Sequence, residues 1–191
     1  NNEMANNYGW RELAAQEGFV VAFPNGTRDQ SNARFWDVDY AFHGQFDIDD
    51  DGFLSSLAIH LQDTLGLDAE RTFVTGFSNG AEMCFQLACR ESSTFRGFGP
   101  VIGMMLDTLW VDCDPEFDRS IITMNATLDG VTLYDGEFDH LFGDAAVALR
   151  AHTRPGGRLL VALRGACVHL AGGARCARVV FCVESTGRAR T

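Results

Sequence analysis

The chain has 191 residues, a length that favours one domain or part of a larger one. It carries 26 acidic residues against 15 basic ones, and the formal net charge is −11. Apolar residues make up 46% of the chain, which argues against disorder, while the apolar runs are too short to cross a bilayer. Net acidity also argues against a nucleic-acid partner, because a phosphate backbone requires a positive protein surface.

The charge is distributed unevenly along the chain. Residues 1–149 hold 25 acidic and 7 basic residues, whereas residues 150–191 hold 1 acidic and 8 basic residues. This shift predicts a core at residues 1–150 and a distinct C-terminal segment at residues 151–191. Two interpretations of that segment stay open. It supplies a last strand and a histidine-bearing loop, or it is a tail outside the native fold, such as a shifted reading frame would encode.

Helical and extended patterns alternate along the chain. Helices are predicted at residues 10–17, about 51–65, 81–89 and 144–151. Strands are predicted at residues 19–23, 71–76, within 97–105, 120–124 and 158–163. The apolar run at residues 19–23 favours a strand buried on both faces. The alternation predicts an α/β fold around a mostly parallel sheet.

One short motif indicates chemistry. Gly76-Phe77-Ser78-Asn79-Gly80 fits Gly-x-Ser-x-Gly between a predicted strand and a predicted helix, which is the setting of a nucleophile elbow. In an elbow, Ser78 lies at a strained turn, and the glycines at positions 76 and 80 remove side chains that would clash. The backbone N–H of Asn79 then lies at a helix N-terminus, where it stabilises an oxyanion. The alternative is an ordinary turn in which Ser78 caps the helix.

A serine hydroxyl needs a base to become a nucleophile, and the base needs an acid to orient it. In α/β-hydrolases the chain order is serine, acid, histidine. Asp129 lies in the loop after the strand predicted at residues 120–124 and is the chosen acid. Asp135 and Asp139 lie farther along the chain. The alternative role for Asp129 is that of a turn residue before Gly130.

His169 is the chosen base, because it follows the predicted last strand and a glycine-containing loop. An unrelated tail is the alternative. The other histidines fit less well. His43 and His60 break the expected order, and His60 is expected to be a surface or packing residue of a helix. His140 follows the candidate acid too closely for an intervening helix and strand, and His152 precedes the last strand.

Longer stretches carry a family resemblance. The string Gly-Phe-Val-Val-Ala-Phe-Pro-Asn-Gly at residues 18–26, Asp-Asp-Gly-Phe-Leu at 50–54 and the segment 68–83 around the elbow resemble the polyhydroxybutyrate depolymerase/feruloyl esterase group of α/β-hydrolases. Residues 113–136 are similar to that group's acid-bearing segment. The resemblance covers about residues 8–136. It implies an α/β-hydrolase fold with helices on both sheet faces, and a secreted serine esterase acting on a polyester or on feruloyl or acetyl groups of plant polysaccharide.

Two departures from that group are visible. Its sheet begins upstream with a strand ending in a His-Gly turn that supplies a second oxyanion N–H, and this chain starts after that point. We therefore expect a fold that lacks its first strands, and the source of the second donor stays open. In addition, Asn125 and Ala126 replace the group's His-Gly before the acid. The replacement is expected to alter the loop that holds Asp129.

Metal and cysteine chemistry are weak alternatives. Residues 47–52 resemble the start of an EF-hand loop, but its twelfth position is Ala58 instead of glutamate. Helix capping by Asp50 or Asp51 is the favoured interpretation, and no metal or cofactor is expected. Six cysteines permit disulfides without fixing their pairing. Cys84 and Cys89 are expected to be small buried side chains.

The sequence thus predicts an extracellular ester hydrolase with an ester or polyester substrate and neither nucleic acid nor membrane as partner. Two other functions stay open. One is a serine peptidase on the same fold. The other is a catalytically impaired remnant or binding protein, which a missing first strand would favour.

Overall fold

The computed structural model of the protein describes residues 7–40, 46–132 and 178–184, together with Ala5, Gly44 and Tyr134. The predicted helix at residues 144–151 and the predicted strand at residues 158–163 lie outside the described residues. The division into residues 1–150 and 151–191 therefore stays a prediction.

Three of the four described helices match helices predicted from the sequence to within two residues at each end, and the helix at residues 107–112 was not predicted. The four helices are α1 (Trp10–Glu17), α2 (Asp50–Leu65), α3 (Asn79–Arg90) and α4 (Asp107–Asp112), with a 3₁₀ turn at Ala69–Arg71. Gly18 and Gly66 end α1 and α2 with φ of 69° and 63°, a conformation that glycine adopts without strain. The expected capping by Asp50 or Asp51 is wrong. Asp49 caps α2 by accepting the Gly52 N–H, because three consecutive aspartates left the start of the helix ambiguous.

The main sheet has five strands, all parallel, in the order β1–β7–β4–β5–β6. Their bounds are β1 Phe19–Ala22, β4 Thr72–Phe77, β5 Gly97–Val101, β6 Ser120–Ile121 and β7 Arg178–Glu184. A small antiparallel pair, β2 (Thr27–Arg28) and β3 (Arg34–Phe35), precedes α2. A parallel sheet whose strands alternate with helices is an α/β architecture, as the sequence predicts.

Strand β7 comes from the arginine-rich end of the chain and lies inside the sheet. It pairs with β1 on one side and with β4 on the other, so that Val180 stands opposite Val21 and Phe73. The composition of this end differs from that of the rest of the chain, yet its residues 178–184 form a strand that pairs with both neighbouring strands. The continuous apolar run at residues 179–183 is the signal that would have located the strand.

The core lies between the sheet and helices α2 and α3. Residues 79–89 of α3 are all buried, with Met83, Phe85 and Leu87 at 1% exposure or less. Leu54 and Ala58 bring the inner face of α2 into the same cluster. The predicted burial of both faces of β1 is wrong, because β1 is an edge strand and all four of its residues are half-buried.

A disulfide joins α3 to the segment after α4. Cys89 and Cys113 form this bond, with their Cα atoms 5.1 Å apart. Cys89 is therefore not the unlinked apolar side chain that the sequence suggested, whereas Cys84 is buried as expected and lies outside that bond. Among the described residues, no helix combines the length and apolar character needed to span a bilayer.

Candidate active site

Ser78 lies at the junction of β4 and α3 in a strained backbone conformation. Strand β4 ends at Phe77, α3 begins at Asn79, and the residue between them has φ 56° and ψ −125°. A positive φ at a non-glycine residue costs about 1–2 kcal/mol and persists only where the surroundings impose it. Ser78 is partly exposed, and its side chain makes no capping hydrogen bond. Its Oγ is thus available at the end of the strand.

Hydrogen bonds on both sides of Ser78 hold this turn. Its N–H donates to the carbonyl oxygen of Val101 at the end of β5, at 3.0 Å. Its carbonyl oxygen accepts from the N–H groups of Ala81 and Glu82, at 2.7 and 3.2 Å. The flanking glycines, Gly76 and Gly80, are both buried. The turn is therefore anchored to the neighbouring strand and to the first turn of α3.

The turn after β5 packs directly on the elbow. A Cβ atom at Gly103 would lie 2.6 Å from Cβ of Ala81 and 2.7 Å from the carbonyl oxygen of Ser78, closer than real atoms approach. The preceding residue, Ile102, has φ 52°, which is strained for a β-branched side chain. Two strained residues, Ser78 and Ile102, therefore lie on adjacent strand ends, and Gly103 permits their close contact.

Asn79 offers two different polar groups at the start of α3. Its backbone N–H, at the first helical position, has no partner among the described residues, as expected where a helix leaves its first donors unpaired. Its carboxamide binds the backbone of Trp36. Oδ1 accepts the Trp36 N–H at 2.7 Å, and Nδ2 donates to the Trp36 carbonyl oxygen at 3.1 Å. The N–H is therefore available to a ligand, while both polar atoms of the side chain are hydrogen-bonded to Trp36.

Four polar residues of α3 form a ridge that binds residues 36–40, which we name the docked segment. The ridge comprises Asn79, Glu82, Gln86 and Arg90. Besides the bonds of Asn79, Glu82 accepts from the Tyr40 hydroxyl, Gln86 Nε2 donates to the Asp37 carbonyl oxygen at 3.2 Å, and Arg90 pairs with Asp39 at 3.0 Å. Sequence reasoning missed this ridge. Its signal is polar residues at i, i+3, i+7 and i+11 of a helix that is otherwise apolar.

Carboxylates of α2 complete the attachment of the docked segment. Asp50 is 4% exposed, and its Oδ2 accepts the Asp37 N–H at 2.7 Å. Burial raises the pKa of Asp50 to about 6, the Asp37 N–H opposes this shift, and the neighbouring carboxylates of Asp37, Asp51 and Asp49 add to it. Burial likewise raises the pKa of Asp51, against the hydrogen bonds from Gln86 and Arg90. The contact is thus sensitive to pH.

The candidate acid, Asp129, lies in a loop that leaves the same end of the sheet as Ser78. Ile102 N–H donates to the Met124 carbonyl oxygen at 2.7 Å, which continues the β5–β6 pairing up to the start of the loop. Asp129 is half-buried, and its Oδ1 accepts the N–H groups of Val131 and Thr132 at 2.8 and 3.0 Å. Its Oδ2 has no partner among the described residues. This geometry suits a turn residue and leaves one oxygen for an imidazole.

Asn125, where the resembled family has histidine, connects this loop to the elbow. Its Oδ1 accepts the Gly103 N–H at 3.1 Å, and its Nδ2 donates to Thr123 Oγ1 at 2.6 Å. The side chain thus fixes the turn that packs on Ser78. The predicted effect of this replacement on the Asp129 loop stays a prediction.

The histidine of the predicted triad is not placed by the structure. His169 lies outside the described residues, together with His43, His140 and His152. His60 is described and is exposed on α2, in agreement with its predicted surface role. The competing acids Asp135 and Asp139 also lie outside the described residues. The assignment of His169 as base therefore stays a prediction.

Three further observations concern the two ends of α3 and the absence of a metal cluster from the described residues. The Tyr8 ring lies 6.3 Å from the Phe77 ring, so the start of the chain reaches the end of β4. A cavity of about 380 Å³ lies at the other end of α3, lined in part by Arg90, Asp39 and Asp112. Within the described ranges, no cluster of three or more histidine, cysteine, aspartate or glutamate side chains is arranged to hold a metal ion.

Comparison with known proteins gives one partial match. A bifunctional acetylxylan esterase/xylanase (XynS20E) of Neocallimastix patriciarum is 26% identical to the chain over 102 residues. The match covers 53% of this chain and 14% of that protein, so the chain spans a small part of the relative's length. No family model matches the chain, and no solved structure matches it. The chain is therefore similar in part to a protein with an esterase activity in its name.

Proposed function

We propose that the chain is part of a serine esterase of the α/β-hydrolase type, in which Ser78 attacks an ester carbonyl and forms an acyl-enzyme. The observation that carries this proposal is the backbone of Ser78, held at φ 56° and ψ −125° between a parallel strand and a helix. An ordinary turn gains nothing from this strain. A nucleophile does, because the strain directs its hydroxyl away from the sheet.

The other roles follow from the positions around Ser78. The N–H of Asn79, which has no partner in the part of the chain that the structure describes, stabilises the oxyanion with the aid of the helix dipole, and one such donor contributes about 10²–10³ in rate. His169 takes the Ser78 proton and passes it to the leaving alcohol. Asp129 orients that imidazole through the carboxylate oxygen that has no partner among the described residues. Water then hydrolyses the acyl-enzyme, and no cofactor is required.

Carboxylic esters of polysaccharide or polyester are the proposed substrates. The partial similarity to an acetylxylan esterase/xylanase supports an acyl ester, and the resemblance noted in the sequence extends the range to feruloyl groups and polyhydroxyalkanoates. The Cys89–Cys113 disulfide supports an extracellular location, since such bonds persist in oxidising compartments. Extracellular polymers are the substrates that such an enzyme would meet.

Initial rates on a small panel of substrates test the proposal. The panel comprises 4-nitrophenyl acetate, methyl ferulate, a hydroxybutyrate oligomer and a peptide anilide. We expect ester hydrolysis without amide hydrolysis, and a loss of about 10⁶-fold in Ser78→Ala. Ser56→Ala, at an exposed serine of α2, is the matched control and should retain full activity.

Two results would contradict the proposal. Efficient cleavage of the anilide that requires Ser78 would favour the serine peptidase. A folded wild-type protein that hydrolyses none of the four compounds would favour an impaired or binding protein.

A further inference from the structure

We propose that the side chain of Asn79 is a positioning residue, which holds the oxyanion-binding N–H of its own backbone by binding the backbone of Trp36. The inference rests on the esterase function proposed above and adds a residue role to it. Its basis is the pairing of one carboxamide with both polar groups of one residue, at 2.7 and 3.1 Å.

Burial makes this pairing specific. Trp36 is fully buried and Asn79 is 6% exposed, so water does not replace either hydrogen bond. The pairing needs one acceptor and one donor at the end of a short side chain, and asparagine supplies both. Alanine lacks both groups, and serine carries its donor and its acceptor on a single atom. An ionised aspartate would place a second oxygen against the Trp36 carbonyl oxygen.

The position of Asn79 connects this pairing to the elbow. Asn79 is the first residue of α3 and directly follows Ser78, whose backbone is strained. A strained turn relaxes when its neighbours allow it, and the peptide group between residues 78 and 79 carries the proposed oxyanion donor. Fixing the Asn79 side chain therefore fixes the direction of that N–H.

The docked segment is also attached to α3 by contacts that do not involve Asn79, so we expect Trp36 to keep its position when one of them is lost. Tyr40, Asp37 and Asp39 bind Glu82, Gln86 and Arg90 farther along the same helix. The ring of Trp36 also lies in the core and stacks on Phe53 of α2, with ring centroids 6.5 Å apart. Trp36 thus cannot follow a displaced Asn79. The pairing anchors the elbow to the body of the protein.

Steady-state kinetics and melting temperatures of three variants test the proposal, with 4-nitrophenyl acetate as substrate. In Asn79→Ala we expect kcat to fall by about 10²-fold with little change in KM, because the donor moves away from the oxyanion and the acyl pocket stays in place. Gln86→Ala is the matched control. It loosens the same docked segment from the same helix, two turns away from Ser78, and should lower the melting temperature while leaving kcat within about threefold.

Asn79→Asp keeps the test decisive if the alanine variant does not fold. A protonated aspartate donates to the Trp36 carbonyl oxygen, and an ionised one does not. We therefore expect the ratio of variant kcat to wild-type kcat to rise as the pH falls through the pKa of the introduced carboxyl group. A role in stability alone would not produce this ionisation in kcat of the folded protein.

The outcomes separate this proposal from the proposed function. If the wild-type protein hydrolyses esters through Ser78 but Asn79→Ala keeps its kcat, the positioning role is wrong and the esterase stands. The role is also wrong if Gln86→Ala lowers kcat as much as Asn79→Ala does, or if the Asn79→Asp ratio is independent of pH. A wild-type protein without Ser78-dependent hydrolysis overturns the function itself.

Discussion

The elbow and the loop that carries Asp129 lie at the same end of the sheet but are held in different ways. Ser78 is anchored by β5, by the first turn of α3 and by the turn at Gly103. Among the described residues, the Asp129 loop is held chiefly by hydrogen bonds between its own residues, and Leu128 next to the candidate acid is 96% exposed. The first region is fixed by tertiary packing and the second by a local turn.

This difference predicts that the Asp129 loop tolerates substitution better than the elbow does. A nucleophile in a strained conformation needs surroundings that prevent relaxation, and these cost stability elsewhere. A carboxylate that only orients an imidazole has a smaller requirement. A hydrogen bond links the two regions, because the Asn125 side chain accepts the Gly103 N–H.

Of the predicted changes, removal of the disulfide should lower the free energy of unfolding most. The disulfide is attached to α3, the helix that begins at the elbow. The Cys89–Cys113 bond closes a loop with a sequence separation of 24 residues, which predicts a loss of about 3 kcal/mol in the free energy of unfolding. The double variant Cys89→Ser/Cys113→Ser in chemical denaturation measures this. Equal stability of variant and wild type would show that packing alone fastens the far end of α3.

The burial of Asp50 against the docked segment should make stability depend on pH. Its folded pKa of about 6 lies above the usual aspartate value of 3.8, so the stabilisation is present below pH 4 and is lost as pH rises through 6. Asp50→Asn keeps an acceptor for the Asp37 N–H and does not ionise. We expect it to be more stable than wild type above pH 6, by up to about 3 kcal/mol, with no such gain below pH 4. A difference that is constant from pH 4 to 8 would contradict this.

Alanine substitutions at Gly103 and Gly130 compare the packing of the two regions directly. At Gly103 an alanine would collide with Ala81 and with the Ser78 carbonyl oxygen, whereas at Gly130 in the Asp129 loop no atom of the described residues lies within 4 Å of an added Cβ. We expect Gly103→Ala to lose about 2 kcal/mol of stability together with most of the esterase activity. Gly130→Ala should change stability by less than about 0.5 kcal/mol. Thermal melting and initial rates measure these effects. Similar losses in both variants would contradict the difference in packing between the elbow and the Asp129 loop.

The strain at Ser78 should give the smallest effect, with a characteristic sign. Ser78→Gly and Ser78→Ala both lack the hydroxyl, but only glycine adopts φ 56° without cost. The glycine variant should be the more stable by about 1 kcal/mol. At Ser56, inside α2, the order should be reversed by a similar amount, since glycine disfavours a helix. The same order at both sites would show that Ser78 is not strained.

The sequence carried enough information to predict the elbow but not its surroundings. A glycine-flanked serine between an apolar strand and a helix is a local pattern, and the structure places β4, Ser78 and α3 accordingly. The Cys89–Cys113 pairing depends on how distant segments pack, and spacing does not reveal it. The cap of α2 at Asp49 was ambiguous among three adjacent aspartates.

The largest omission concerned β7. Its residues pair in register with β1 and β4, and that placement depends on contacts between the two ends of the chain. An arginine-rich composition says little about them, because backbone pairing in a parallel sheet does not depend on charge. The bonds of Asn79 to Trp36 likewise join residues 43 positions apart. The triad's acid and base, Asp129 and His169, stay predictions.

Reaction with a fluorophosphonate, followed by mass measurement of the intact protein and mapping of the modified peptide, tests the central claim most directly. An activated serine displaces fluoride from such a reagent, while ordinary serines do not react. The account predicts one adduct per chain, located at Ser78, and none in Ser78→Ala. A folded protein that forms no adduct, or one modified elsewhere while Ser78 stays intact, would contradict it.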